Sequence, residues 1–306
     1  MKVQISGFYD EVTSDFNKQM ALAKKLGGEY ICPRNVDGKN IANYSLEEFQ
    51  VSILPRMKEN DIKFSSIGSP IGKIGINDEQ GYEKQKKQLE TLIRIAKKAD
   101  CKYIRVFSFF YGKEDPDSCL DKVVEKMRGF LEIAKGSGVT LLHENEKKIF
   151  GDVPSRVLKL YENLKDDGLQ FIFDSSNFVQ CDVNVKEAFE QLKDIIVYYH
   201  IKDCSEYKVE VPLGVGLGEY QYIIDELKKR NYEGFMTLEP HTWKYAVLKP
   251  LVYFIPFMPL IMNNYFKAFR LIDKAKGINF FKCVSRQEVF EWQFKTLEEM
   301  IKEQCI

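Results

Sequence analysis

Apolar residues in this chain follow two alternating rhythms. Short runs rich in β-branched and aromatic residues are each followed by a longer stretch whose apolar positions return every three or four residues, the spacing of one helical face. Val3-Gln-Ile-Ser6 is the first run, and Phe16, Met20, Ala23 and Leu26 mark the helix after it, which stops at Gly27-Gly28. Further strands are predicted at Tyr30–Cys32, Phe64–Ile67, Tyr103–Ser108, Val139–Glu146, Leu169–Phe173, Ile196–Tyr199 and Phe235–Leu238. A second helix is predicted from Ser45, with Pro55 kinking or ending it. Others are predicted over Glu79–Lys98, Ser118–Ala134, Pro154–Leu164, Val185–Leu192, Tyr220–Lys229 and Arg286–Lys302. Eight strand-then-helix units argue for parallel βα pairs. Eight such pairs close a (β/α)8 TIM barrel, with a doubly wound open sheet as the competing architecture. No linker divides the chain, so one α/β domain over residues 1–306 is expected.

One stretch breaks the rhythm. Between Glu239 and the last helix the pattern needs only a few residues, yet an insertion stands at about 243–284. It contains Pro250 to Phe266, a run without charge but with three prolines, and shorter than the ~20 residues that span a bilayer. A transmembrane helix is therefore rejected. The expected role is a cover packed on the barrel. A subunit interface in a homo-oligomer, or contact with a membrane surface, are the alternatives.

The chemistry gathers where strands end. Val139-Thr-Leu-Leu runs into His143-Glu-Asn-Glu146, Phe171-Ile-Phe into Asp174, Ile196-Val-Tyr-Tyr into His200, and Phe235-Met-Thr-Leu into Glu239. The steps from Glu144 to Asp174, His200 and Glu239 are 30, 26 and 39 residues, each about one βα unit. Four neighbouring strands could thus aim three carboxylates and an imidazole at one point on the C-terminal face of a barrel. Singly, such a carboxylate is often a helix cap, and a lone histidine is usually packed in a core. Together they form a divalent-metal set dominated by oxygen, suited to Mn²⁺ first, then Mg²⁺ or Co²⁺, with Zn²⁺ also accommodated. Glu144 and Glu239 are in addition candidates to remove and return a proton on opposite faces of a carbon beside a carbonyl, through a metal-stabilised enediolate. Glu146 is the second choice for Glu144, because residues two apart on a strand face the same way. His143, Arg34, Arg105, Lys202 and Asp203 lie at or just past strand ends. They serve either as hydroxyl or phosphate contacts or as ion pairs between strands. Lys73 is a further phosphate candidate, and His241 a supporting partner of the metal set.

Composition narrows the partners. Lys+Arg and Asp+Glu are both 45, so the formal net charge is zero and nothing favours a nucleic acid. The 44% apolar content is ample for a core. Seven cysteines, at 32, 101, 119, 181, 204, 283 and 305, form no Cys-x-x-Cys pair and read as reduced thiols of a cytoplasmic protein. The N-terminal Met1-Lys-Val-Gln-Ile-Ser-Gly is too briefly apolar for a secretory signal. Gly214-Val-Gly-Leu-Gly-Glu219 lacks the spacing and the βαβ context of a dinucleotide loop, and reads as a tight loop at the barrel mouth.

With these residues in place, the chain resembles the xylose isomerase-like TIM-barrel family of sugar-phosphate isomerases and epimerases. The likeness rests on an ordered set running from Ile5-Ser-Gly-Phe to Leu238-Glu-Pro-His241. It includes Arg34-Asn-Val-Asp-Gly-Lys-Asn40, Ser69-Pro-Ile-Gly-Lys73, Ile104-Arg-Val-Phe-Ser-Phe109, His143-Glu-Asn-Glu146, Gly151-Asp152, Asp174-Ser-Ser-Asn-Phe178, His200-Ile-Lys-Asp203 and Gly216-Leu-Gly-Glu219. The resemblance implies one divalent metal on Glu144, Asp174, His200 and Glu239, with the first and last as the acid/base pair of the epimerases. It implies a small sugar or sugar phosphate as substrate. Several epimerases carry a histidine three residues after the metal-binding aspartate, where this chain has Asn177, a candidate substrate contact. Dehydratases of inosose or dehydroshikimate are the alternative within the family. Apurinic-site endonucleases need a histidine-rich multi-zinc site, and this chain has only His143, His200 and His241. An intact acid/base pair argues against a non-catalytic sugar-binding barrel.

Overall fold

A computed structural model, describing residues 1–303, turns the sequence rhythm into eight strand–helix pairs. The strands are β1 (Lys2–Gly7), β2 (Tyr30–Ile31), β3 (Lys63–Phe64), β4 (Tyr103–Val106), β5 (Thr140–Glu144), β6 (Gln170–Asp174), β7 (Ile196–Ile201) and β8 (Glu233–Leu238). The paired helices are α1 (Phe16–Lys25), α2 (Leu54–Glu59), α3 (Glu79–Lys98), α4 (Leu120–Ala134), α5 (Pro154–Leu164), α6 (Val185–Leu192), α7 (Tyr220–Lys229) and α8 (Arg286–Lys302). Six strands form one parallel sheet in the order β1-β8-β7-β6-β5-β4. β2 and β3 pair in parallel with each other. Single backbone bonds then close the ring. Cys32 N–H donates to Gly7 O at 3.0 Å, Ile67 N–H to Tyr103 O at 2.9 Å, and Arg105 N–H to Ile67 O at 2.9 Å. β2 is shorter than its apolar run because Pro33 follows and has no N–H to extend a ladder.

The helix expected from Ser45 does start there, with a Ser45 cap, and runs from Leu46–Glu48 through a π-helical stretch, Phe49–Ile53, into α2. Pro55 follows that stretch directly, so the regular helical ladder is interrupted beside it while the helix continues to Glu59.

Strand alternation builds the barrel interior in layers. One inward layer holds Leu142, Ile172, Tyr198 and Thr237, with Ser6 and Ser65 on the far side, all buried. Its hydroxyls satisfy one another: Ser6 Oγ lies 2.7 Å from Ser65 Oγ, and the Tyr198 hydroxyl donates to Ser65 Oγ at 3.0 Å. Outward residues of the strands pack against the helices in the main apolar core.

The segment after β8 forms helices Trp243–Phe254, Met258–Ile261 and Asn263–Lys276. Tyr245, Val252, Tyr253, Phe269 and Ile272 make a second apolar cluster with Val289 of α8 and with Val211 of the hairpin Asp203–Cys204/Glu210–Val211. A buried ion pair sits within it, Lys249 Nζ to Asp273 Oδ1 at 2.8 Å. Tyr253 donates to Asp273 Oδ2 at 2.7 Å, and the Asn279 and Lys282 carbonyls accept from Lys249. The expected cover is thus only half realised, since Phe257, Leu260 and Ile261 stay 73–78% exposed. No helix among the described residues is long and apolar enough to cross a membrane. Six cysteines are free thiols, and Cys305 lies outside the described residues.

Candidate active site

Glu144, Asp174, His200 and Glu239 stand two residues beyond Leu142, Ile172, Tyr198 and Thr237 on the same four strands. The period of two therefore turns them inward as the next layer up. All four are buried, and one ligand atom from each lies within 4.8 Å of the others. His200 Nδ1 is 3.0 Å from Glu144 Oε1 and 3.4 Å from Glu239 Oε2. Arg105 Nη1 donates to Glu144 Oε2 at 3.0 Å and lies 3.5 Å from Glu239 Oε1. Lys202 Nζ approaches Asp174 Oδ2 at 3.0 Å and Glu239 Oε2 at 3.9 Å. Arg34 caps the group, with Nη1 to Glu239 Oε1 at 3.0 Å and a two-pronged grip on Asp10.

Three buried carboxylates this close would repel one another without the cations among them. Burial alone would raise the Glu144 carboxyl, but His200 and Arg105 outweigh it and hold it well below the usual carboxylate range. Glu239 is treated the same way, with Lys202 and Arg105 overriding burial. Asp174 moves oppositely, pushed up to about 7 by burial that Lys202 only partly offsets. His200 is pushed up to about 9, because Glu144 and Glu239 overcome a burial effect of opposite sign.

A divalent ion fits this donor set. Asp174 Oδ2 and both ring nitrogens of His200 are buried without a well-aligned hydrogen bond, despite their short distances to charged neighbours. Orphaned buried polar atoms of this kind are uncommon in a finished fold. Asp174 Oδ2 and one imidazole nitrogen, with Nδ1 the one beside Glu144 and Glu239, stand where oxygen and nitrogen ligands could meet one ion.

The surrounding candidates divide. Arg34, Arg105, Lys202 and Asn177 reach the cluster, Asn177 with Nδ2 3.4 Å from Glu144 Oε1. His241 Nδ1 lies 2.7 Å from Glu11 Oε1, and its ring is 3.8 Å from Glu239. Glu146 is not an alternative to Glu144. β5 ends at Glu144, and Glu146 turns aside to accept from Lys73 Nζ at 2.8 Å. His143 is also corrected: it faces the helix layer, opposite to Glu144. Its Nε2 lies 2.9 Å from Ser108 Oγ, and its ring packs on Phe171, which itself meets Tyr161 of α5. His143 therefore braces the loop around Gly151, whose N–H donates to the same Ser108 hydroxyl.

Sequence reasoning missed four residues. Asp10 and Glu11 follow β1 in a 3-10 turn and anchor Arg34 and His241. The Phe8 ring lies under both Arg34 and Arg105, 5.0 Å from each guanidinium, and meets His200 edge-on. Asn145 bonds both the backbone N–H and the carbonyl of Asp174 at 2.9 Å, locking β6 to β5 at the site. The signal available for Asp10 and Glu11 was their place directly after a strand. Asp203 accepts from the N–H groups of Cys204, Gly214, Gly216 and Gly218 at 2.8–3.0 Å. A Cβ at Gly216 would sit 2.3 Å from Asp203 Oδ1, so the glycine-rich loop is a cradle for the chain's own aspartate.

A parallel barrel with a buried acidic and imidazole cluster at the C-terminal ends of its strands defines a TIM-barrel protein with a candidate metal site. The family model described as xylose isomerase-like TIM barrel matches residues 20–250, and the chain belongs to that family. No curated protein matches it. Among solved structures it is similar to the IOLI protein with a bound zinc atom, at 16% identity and a TM-score of 0.70, covering 98% of each chain. It is similar to an L-ribulose 3-epimerase at 14% identity and a TM-score of 0.68, covering 99% of this chain and 95% of that one. A probable 3-DHS dehydratase, AsbF, from Bacillus anthracis is 16% identical with a TM-score of 0.65, covering 97% and 99%.

Proposed function

We propose that this protein is a divalent-metal-dependent sugar isomerase or epimerase that works by proton transfer, with Glu144 and Glu239 as the transferring pair. The carrying observation is that both glutamates are buried within reach of the same two groups, Arg105 Nη1 and His200 Nδ1, on strands β5 and β8. Glu144, Asp174, His200 and Glu239 would hold one ion, Mn²⁺ by preference for the oxygen-rich set. When bound it would polarise the carbonyl and neighbouring hydroxyl oxygens of the sugar. One glutamate then removes the proton beside the carbonyl, and the other returns one to the carbon from its own side. Arg105 and Lys202 supply positive charge beside the oxygens that gain negative charge as the proton leaves. The Phe8 ring packs against the Arg105 guanidinium and helps to hold it in place.

Arg34, Lys73 and Lys202, the basic residues suited to a phosphate, are each engaged by an acid: Asp10, Glu146 and Asp174 respectively. This favours a sugar or polyol without a phosphate. A dehydratase of a cyclic polyol or keto acid is the second reading. It is supported by the likeness to the probable 3-DHS dehydratase and by the Lys202 ammonium inside the cluster, a positive charge beside a departing hydroxyl. Free ketoses, their phosphates, hydroxypyruvate, inososes and dehydroshikimate, assayed with each of Mn²⁺, Mg²⁺, Co²⁺ and Zn²⁺, separate these readings. Turnover of a ketose in heavy water is expected to place solvent deuterium on the carbon next to the carbonyl. Glu239→Gln is expected to lose roughly a hundred-fold or more of turnover while retaining the sugar. Full activity in that variant would end the proposal, and loss of water from an inosose or dehydroshikimate, with no ketose converted, would hand it to the dehydratase.

A further inference from the structure

The segment after β8 carries a second message in its exposed residues. Three separate pieces of chain converge on one apolar projection. The end of helix Trp243–Phe254 brings Phe254 and Ile255, the next turn and short helix bring Phe257, Leu260 and Ile261, and the loop beyond Asn263–Lys276 brings Phe281. The Phe281 ring stacks with Phe254 at 6.0 Å, tying the third piece to the first. Phe257, Leu260, Ile261 and Phe281 are nevertheless 73–78% exposed. Leaving four large apolar side chains in water is costly, and soluble surfaces seldom cluster them.

Charge distinguishes the possible occupants. Between Trp243 and Ser285 stand seven Lys and Arg and a single acid, Asp273, in a chain whose formal net charge is zero. Asp273 is spent on buried Lys249. Lys267, Arg270 and Lys274 recur along one exposed side of helix Asn263–Lys276, starting one turn from the apolar projection, and exposed Lys282 adjoins Phe281. None of these four makes an ion pair among the described residues. A second copy of the chain would bring this cationic rim against itself, which disfavours a symmetric pair. An anionic lipid surface matches both features, taking the apolar tip below its headgroups and the cations among them.

We propose that this projection docks the protein on the surface of membranes rich in anionic lipid. The barrel stays in water, since the docking groups lie outside the catalytic cluster.

Vesicle co-sedimentation of the full chain tests this. Binding is expected to vesicles of phosphatidylcholine with about 30% phosphatidylserine, and to weaken tenfold or more on pure phosphatidylcholine or at high salt. Phe257→Ser, Leu260→Ser and Ile261→Ser together are expected to abolish binding. Lys267→Gln, Arg270→Gln, Lys274→Gln and Lys282→Gln together are expected to remove the preference for phosphatidylserine. Circular dichroism is expected to be unchanged in both variants, because every altered side chain is exposed. Sedimentation equilibrium without lipid supplies the contrary outcomes. Self-association that the serine changes abolish, with no vesicle binding, would make the projection a subunit interface and overturn the proposal. A monomer that binds no vesicle at low salt, or binds both compositions equally, would overturn it too.

Discussion

The two directions of side chains on β5 decide what His143 and Glu144 can do. Glu144 enters the barrel and meets Arg105 and His200, whereas His143 enters the helix layer and meets Ser108. Alternation was readable in the sequence, but the direction of the whole strand was not. The sequence therefore left His143 open between a substrate contact and an ion pair between strands. Close approach of backbone is equally invisible in one dimension. Gly72 has φ +87°, and a Cβ there would lie 1.9 Å from the carbonyl oxygen of Phe107. Gly72→Ala combines a disfavoured backbone conformation with a clash against main chain that cannot swing aside. It is expected to cost more than ~2 kcal/mol of stability, measured by urea denaturation. A variant as stable as the parent would mean the β3–α3 turn can rearrange.

At the scale of elements, most of the fold was legible because each βα unit repeats a change of hydrophobic period from two to about 3.6. Strand ends were legible where an apolar run stops on a charged or imidazole side chain, as at Glu144, Asp174, His200 and Glu239. Helix Ser175–Gln180 was hidden, because Asp174 both ends β6 and caps this helix by accepting from the Asn177 N–H at 3.0 Å. The insertion was legible as an irregularity in length but not as a structure. Its second core depends on pairing Lys249 with Asp273 across 24 residues, a contact no local pattern announces. Removing one partner of such a buried pair leaves an uncompensated charge. Asp273→Ala is expected to destabilise the insertion by about 3–5 kcal/mol, whereas replacing both partners with apolar residues costs less. Hydrogen exchange is the suitable measurement: amides of Trp243–Phe254 and Asn263–Lys276 should lose protection while those of β5 to β8 keep theirs. Equal loss in the barrel would show that the two cores unfold as one.

Across the whole molecule, the hairpin after β7 and the helices after β8 are joined at Glu210. Its carboxylate receives Lys244 Nζ at 2.9 Å and Gln180 Nε2 at 3.1 Å. Burial would raise this carboxyl, but Lys244 and His241 outweigh it and lower it from 4.5 to about 2. A carboxyl depressed in the folded state stabilises the protein fully above its unfolded value and loses that contribution as pH falls through the folded one. The parent is therefore expected to be more stable than Glu210→Gln at pH 6, with the gap closing between pH 4.5 and pH 2 in matched unfolding curves. A gap that does not change with pH would assign the effect to packing.

Metal binding by purified protein tests the central claim most directly, because every step proposed for the site presumes that Glu144, Asp174, His200 and Glu239 act as one ligand set. Equilibrium dialysis of metal-stripped protein against Mn²⁺ is expected to give one tightly held ion per chain, with Zn²⁺ and Mg²⁺ competing for the same place. Asp174→Ala combined with His200→Ala is expected to abolish that ion while circular dichroism and the sedimentation coefficient stay those of the parent. Failure of the parent to retain any divalent ion, or unchanged binding in the folded double variant, would contradict the account.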